Sequence, residues 1–344
     1  MPVISFCIPS YNNSQAALKI VNDLLSSECE NFEVIICDDN SQDDTQELLS
    51  CINDKRFRYI RNAENLGAHK NWLKTLEAGR GEWLYLVMGR DKLHVENIDK
   101  LIHLLELAGK NNVTCLKDRL RKRDFQLYKG INAMIEFVIN DHPTGIIFKR
   151  EVFMTIPNRE KYFEIADMYP ECYIEFFSLL KGNAAFIMSG VSRGEEPVTD
   201  KTKIKSQVEF GGNIYDAYFA PARRIKQFFE RIDMIELFSH GAFNPYEINK
   251  YFGSGFKSLL KDVSYYWRRW CNTPEQMYHY GHETRNINTH EMTQNIFTAY
   301  HETKKHLHEK GTYTFTKRLI MYYYTAKIFV RVNVFMKFKE AVNK

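Results

Sequence analysis

A chain of 344 residues, 44% hydrophobic and 26% charged, has the make-up of a soluble globular protein, long enough for one large domain or two ordinary ones. A net charge of +4 is too small to argue for a nucleic-acid partner, but from Glu302 onward ten Lys/Arg face three Glu, so the tail is basic. Seven cysteines stand far apart with no C-x-x-C pair, which excludes a zinc knuckle or a small disulfide framework and points to a reducing cytoplasm.

The start, Met1-Pro-Val-Ile-Ser-Phe, reads straight into a strand with no cationic leader, so no signal peptide is expected. No stretch reaches about 18 uncharged apolar residues, the length a membrane span needs. Residues 3–8 predict a strand ending in Pro9-Ser10-Tyr11-Asn12-Asn13, and residues 15–25 an amphipathic helix. Strand 33–37, helix 46–52, strand 57–60, helix 68–78 and strand 83–87 follow, with Gly67, Gly79 and Gly81 at helix boundaries. Such alternation predicts an α/β fold, a mostly parallel sheet built from right-handed crossovers.

After Val87 come Met88-Gly-Arg-Asp-Lys-Leu93 and a helix at 96–108. Residues 117–124, with five cations and two acids, read as a solvated loop or strand edge. Further elements are a helix at 131–139, the turn His142-Pro-Thr-Gly145, strand 146–148, a helix from 171 to 180 and a last strand at 184–188. Residues 192–205 read as a polar loop, in which Arg193-Gly-Glu-Glu-Pro197 is a lid over the donor or a mobile linker, and from 214 onward the pattern is helical. The domain boundary is placed after 195, giving a sheet domain of 1–195 and a helical, aromatic- and Lys/Arg-rich domain of 196–344.

One stretch organises the first half. The apolar run 34–37 ends in Asp38 and Asp39, then in the polar turn Asn40-Ser-Gln-Asp-Asp-Thr45. Carboxylates at the end of a parallel strand face the crevice where open α/β sheets bind ligands, where they can accept from an imide N–H or a ribose hydroxyl. A strand-end turn with an Asp cap is the plainer alternative.

The ordered set Pro-Ser-Tyr-Asn, Asp-Asp-Asn-Ser, Asn65-Leu-Gly67…Asn71, Trp83-Leu-Tyr-Leu with its acidic turn, and a glycine-bounded helix resembles the family 2 glycosyltransferases over about the first 190 residues. The resemblance implies a GT-A fold and an inverting transferase using a nucleotide-sugar donor and a glycan or lipid-linked acceptor. It further implies that Pro9, Ser10 and Tyr11 cradle the nucleoside and that Asp39, beside Asp38, contacts the base, most often uracil. Asn65, Gly67 and Lys70 would border the diphosphate, although Lys70 also reads as a helix-surface lysine.

Where the family carries Asp-x-Asp, this chain has Gly89-Arg90-Asp91. The resemblance leaves Asp91 as the ligand of a divalent metal, Mn²⁺ or Mg²⁺. Loss of the other carboxylates weakens that expectation. Arg90 and Lys92 place cations where a leaving diphosphate gains charge. In the resembled family the base commonly stands eleven residues before a helix-closing glycine, so the resemblance, counted from Gly182, implies Glu171 as the base for the acceptor hydroxyl, with Asp167 as second choice and an ordinary first-turn carboxylate as the alternative. His142 would lie on the acceptor side. No organic cofactor is implied.

The histidines between 279 and 308 read as helix-surface residues rather than a metal site, and Trp267-Arg-Arg-Trp270 as a helix-packing cluster rather than a sugar platform. Residues 315–339 carry apolar side chains all round a helical wheel with six cations interspersed, which predicts burial against a membrane face or a second subunit. The overall expectation is a cytoplasmic or peripheral-membrane transferase acting in capsule or lipopolysaccharide assembly. Its rival is a catalytically degenerate binding or scaffold subunit.

Overall fold

The computed structural model describes residues 1–88, 91–119, 123–139, 145–165, 170–195, 220–274, 277 and 284–336. The chain divides into two compact units, Met1–Glu196 and Pro197–Lys344.

In the first unit, β1 (Ile4–Ser10), β2 (Phe32–Asp38), β3 (Phe57–Arg61) and β4 (Trp83–Leu86) alternate with α1 (Ser14–Leu25), α2 (Thr45–Ser50) and α3 (Ala68–Ala78). These strands run parallel in the order β3-β2-β1-β4. Residues of both parities in β1 and β2, such as Phe6 with Cys7 and Val34 with Ile35, are fully buried. Helices therefore cover both sheet faces, and the strands read as continuous apolar runs. α1 turns Ala17, Ile20, Val21 and Leu24 inward at helical spacing.

Beyond β4, β5 (Asp91–Leu93) leaves the main sheet. α4 (Ile98–Lys110) leads to β6 (Val113–Asp118), β7 (Phe125–Tyr128) and α5 (Gly130–Met134), which a π-helical turn extends through Ile135–Ile139. Then come β8 (Ile146–Lys149), α6 (Arg150–Met154), α7 (Arg159–Ile165), α8 (Glu171–Leu179), β9 (Asn183–Ile187) and β10 (Ser192–Glu195). The eight-stranded sheet has the order β3-β2-β1-β4-β8-β6-β9-β7, with β8 and β7 antiparallel to their neighbours.

Two expectations change here. Lys117 and Asp118 are no solvated patch: they end the buried strand β6, and Lys117 Nζ lies 2.7 Å from Glu175 Oε1 on α8, both side chains fully shielded. A paired opposite charge is what lets a lysine enter a core. Ser192–Glu195, expected as a loop, forms β10, antiparallel to β5, while 196–205 lie outside the described residues.

The second unit, among its described residues, is helical: Pro221–Phe238, Pro245–Lys261, Trp267–Cys271, Thr289–Glu309 and Phe315–Val330, with π-helical turns at Asp262–Tyr266 and Arg331–Met336. Asn244 and Glu247 form a reciprocal capping box, and Asn288 and Thr314 accept from the Glu291 and Lys317 amides. The Trp267 and Trp270 rings stack at 5.4 Å and are buried, so the pair is core packing. Lys317 pairs with Glu236, and His306 Nε2 lies 2.8 Å from Asp233 Oδ1.

The helix Phe315–Val330 is buried on one side only. Lys317, Met321, Thr325 and Ile328 face inward, while Phe315, Leu319, Tyr323 and Val330 are exposed. No helix among the described residues is long and apolar enough to cross a membrane, and all seven cysteines are free thiols.

Candidate functional site

The ends of β2, β1 and β4 arrive together at one edge of the sheet. Ser10 stands level with Asp38, and the Val87 amide donates to Cys7 O at 2.9 Å. With about 4.8 Å between neighbouring strands, the ends of β2 and β4 stand roughly 10 Å apart with β1 between them. This is the carboxyl edge, where sheets of this kind take their ligands. Asn12 and Asn40, in the turns after β1 and β2, sit in the left-handed region at φ 47° and 60°. Asparagine tolerates that region better than most residues.

The two aspartates do different work. Asp38 Oδ1 accepts from the Ser41 amide and hydroxyl, while Oδ2 accepts from the Tyr59 hydroxyl at 2.6 Å and Arg61 Nη1 at 3.2 Å. Four donors use up the roughly four lone-pair sites of a carboxylate, so Asp38 locks the turn and has nothing left for a nucleotide. Burial and the bond to Asp38 push the Tyr59 hydroxyl up to about 12.

Asp39 Oδ1 accepts from Asn62 Nδ2 and the Leu66 amide, both at 2.8 Å, and its Oδ2 from the Gly67 amide at 2.9 Å. Three donors leave Oδ2 room for one more. Asn62 Nδ2 also donates to Asn71 Oδ1 at 3.1 Å, and Asn71 Nδ2 to Cys37 O at 2.9 Å, tying α3 to the end of β2. Gly67 has φ 82° and ψ 160°, a conformation side-chain-bearing residues scarcely adopt. Asn65 Oδ1 accepts from the same Gly67 amide at 3.0 Å, and Lys70 stands exposed on the first turn of α3.

Tyr11 is half exposed, directly after β1. Ser10 is buried, and its hydroxyl has no hydrogen-bond partner among the described residues. Sequence reasoning missed Tyr59, Arg61 and Asn62. Their one legible signal is a polar residue on or directly after a strand whose neighbour ends in two acids.

Past β4, Asp91 is buried, its Oδ2 accepting from the Met88 amide at 2.8 Å while its own amide donates to Met88 O at 2.9 Å. Gly89 and Arg90 lie outside the described residues, as do His142 and Asp167.

Glu171 opens α8 directly after Pro170 and is almost wholly shielded from solvent. Glu175 lies one turn on, on the same helix face, with Lys117 against it; Lys117 Nζ also donates to Phe137 O at 3.0 Å. Gly182, from which Glu171 was counted, closes the turn after α8, where a Cβ would stand 2.6 Å from Asn112 O.

A divalent cation would find one carboxylate in the turn after β4. Among the described residues, no three His, Cys, Asp or Glu side chains come together as a metal site. Asp91 would hold Mg²⁺ or Mn²⁺ there through its carboxylate, a donor that suits either ion.

A parallel β3-β2-β1-β4 half joined to a mixed half, with the carboxylate of Asp91 following β4, defines the GT-A class of fold. The chain belongs to glycosyl transferase family 2, whose model matches residues 5–182. It is 31% identical over 106 residues to the UDP-Glc:alpha-D-GlcNAc-diphosphoundecaprenol beta-1,3-glucosyltransferase WfaP of Escherichia coli, a match covering 31% of this chain and 42% of WfaP. It is 31% identical over 101 residues to the abequosyltransferase RfbV of Salmonella typhimurium, covering 28% of this chain and 30% of RfbV. The chain thus spans less than half the length of either relative. In structure it is similar to S. aureus TarS, with a TM-score of 0.54 at 11% identity, over 96% of this chain and 55% of TarS.

Proposed function

We propose that the protein is an inverting glycosyltransferase that moves a hexosyl or N-acetylhexosaminyl group from a UDP-sugar to a glycan or lipid-linked acceptor in cell-surface polysaccharide assembly. The carrying observation is the Asp39 carboxylate, which holds the Leu66 and Gly67 amides beside the end of β1 and keeps one lone pair on Oδ2. An imide N–H of uracil is a donor of the right kind for that oxygen. The buried Ser10 hydroxyl and the Pro9–Tyr11 backbone complete the nucleoside cradle.

Asn65, Gly67 and Lys70 border the diphosphate. Asp91 would hold a divalent ion, which would supply neutralisation of charge on the leaving group. Arg90 supplies the cation that the missing carboxylates would otherwise have placed through metal. In the transfer, the acceptor oxygen bonds to the anomeric carbon from the face opposite the diphosphate. The bond from that carbon to the phosphate oxygen breaks, UDP departs with the electron pair, and the acceptor proton passes to Glu171 or Asp167. His142 lines the acceptor side.

A second reading, a binding or scaffold subunit without turnover, draws on the single carboxylate in the turn after β4. UDP release from a panel of UDP-sugars, with and without Mn²⁺, separates the two. Release by the wild type that falls at least about 100-fold in Glu171→Gln or in Asp167→Asn, with UDP affinity kept, is expected of a general base. UDP binding with no release from any donor contradicts the transferase reading.

A further inference from the structure

Seven of the thirteen large hydrophobic side chains exposed among the described residues stand on one helix, Phe315–Val330 with its π-helical continuation Arg331–Met336. At 100° per residue, Leu319, Tyr322, Tyr323, Val330 and Val334 share the side opposite the buried row Lys317, Met321, Thr325 and Ile328. Leu319 is 52% exposed, Tyr323 58% and Val330 46%, a continuous apolar strip left in contact with water. Strips of this kind mark interaction surfaces.

Charge decides what the strip meets. Residues 310–339 contain seven Lys/Arg and no Asp or Glu. Lys317 is spent on Glu236 inside the unit, but Arg318 and Lys327 are exposed at the borders of the strip. Their charged ends lie over the Tyr322 and Tyr323 rings, 5.5 Å from each centroid, so each cation stands against the aromatic part of the strip. A second copy of the same helix would bring like charges together. A bilayer surface of anionic phosphates offers both partners at once: interfacial depth for Leu, Val and Tyr, and counter-charge for Arg and Lys.

We infer that this face is a peripheral docking surface for an anionic lipid bilayer, with the helix lying in the interface plane. The inference stands apart from the transferase reading, since lipid binding is read with neither donor nor acceptor present.

The test is flotation of the full-length protein with phosphatidylcholine vesicles and with vesicles that also contain phosphatidylglycerol. Wild-type protein is expected to float with the anionic vesicles alone and to come off as salt is raised. The pair Arg318→Gln with Lys327→Gln lowers the low-salt partition coefficient roughly 30-fold. Leu319→Glu with Val330→Glu abolishes flotation. These side chains are exposed, so helical circular dichroism and the melting temperature stay as in the wild type. Absence of flotation, equal flotation on both vesicle types, or variants that float like the wild type overturns the inference. A dimer in light scattering that Leu319→Glu with Val330→Glu dissociates, without flotation by any form, also overturns it in favour of a subunit contact.

Discussion

The Gly67 amide donates to Asp39 Oδ2 at 2.9 Å, joining positions 28 residues apart in sequence and fixing the loop after β3 against the end of β2. That contact makes Asp39 an organiser of the site as well as a candidate ligand for the base. Asp39→Ala removes three hydrogen bonds; Asn62 keeps Asn71 and the Gly67 amide keeps Asn65, but the Leu66 amide loses its acceptor, for which we expect a loss of roughly 1–3 kcal/mol in stability. UDP affinity should fall at least tenfold, about 1.4 kcal/mol. Urea unfolding and calorimetry on the same preparation check both. Full stability together with unchanged UDP affinity would refute the role.

Lys117 and Glu175 form an ion pair with neither side chain exposed. Breaking such a pair from one side leaves a buried charge alone and costs about 3–5 kcal/mol, whereas replacing both by apolar residues is often nearly neutral. Lys117→Met and Glu175→Gln should each destabilise strongly, and Lys117→Met with Glu175→Leu should recover most of the loss. Equal midpoints for the single and double variants in chemical denaturation would mean the pair is not coupled.

Tyr59 gives a pH signature. Its hydroxyl titrates at about 12 in the folded protein because burial and the Asp38 bond favour the neutral form; the ordinary value is 10.0. The unfolded chain therefore loses this proton first as pH rises. The stabilisation is complete below the unfolded value of 10.0 and is lost as pH climbs through about 12. Denaturation midpoints across that window should fall less steeply for Tyr59→Phe than for the wild type. Parallel curves would show that another group is responsible.

Metal dependence should be partial. With Asp91 as single carboxylate and Arg90 beside it, chelation with EDTA is expected to lower the rate of UDP release without abolishing it. Arg90→Gln should then make the loss on chelation complete, and Asp91→Asn should remove the response to added Mn²⁺. Complete loss of wild-type activity on chelation, fully restored by metal, would show that Arg90 carries none of the charge.

The parallel half of the sheet was readable because strands buried on both faces leave unbroken apolar runs between glycine-marked helices; α3 lies at residues 68–78 as its pattern predicts. Strand β6 was hidden by Lys117, whose charge reads as solvent-facing until Glu175, 58 residues away in sequence, is seen beside it. β10 was hidden because its partner β5 is only three residues long and supplies no periodicity of its own.

The doublet Asp38-Asp39 announced a site, but not its division of labour. Asp38 is consumed by Ser41, Tyr59 and Arg61, whose convergence depends on the β2–β3 register and not on local pattern. The last helix showed an apolar surface on every side, and only packing reveals that Met321 and Ile328 are covered while Leu319 and Val330 are not.

Hydrogen–deuterium exchange with and without saturating UDP tests most directly whether the ends of β1, β2 and β4 form one nucleotide site. Protection should appear together in peptides covering 8–13, 38–42, 62–71 and 86–93. Protection confined to one of these segments, or absent from all four, would contradict the account.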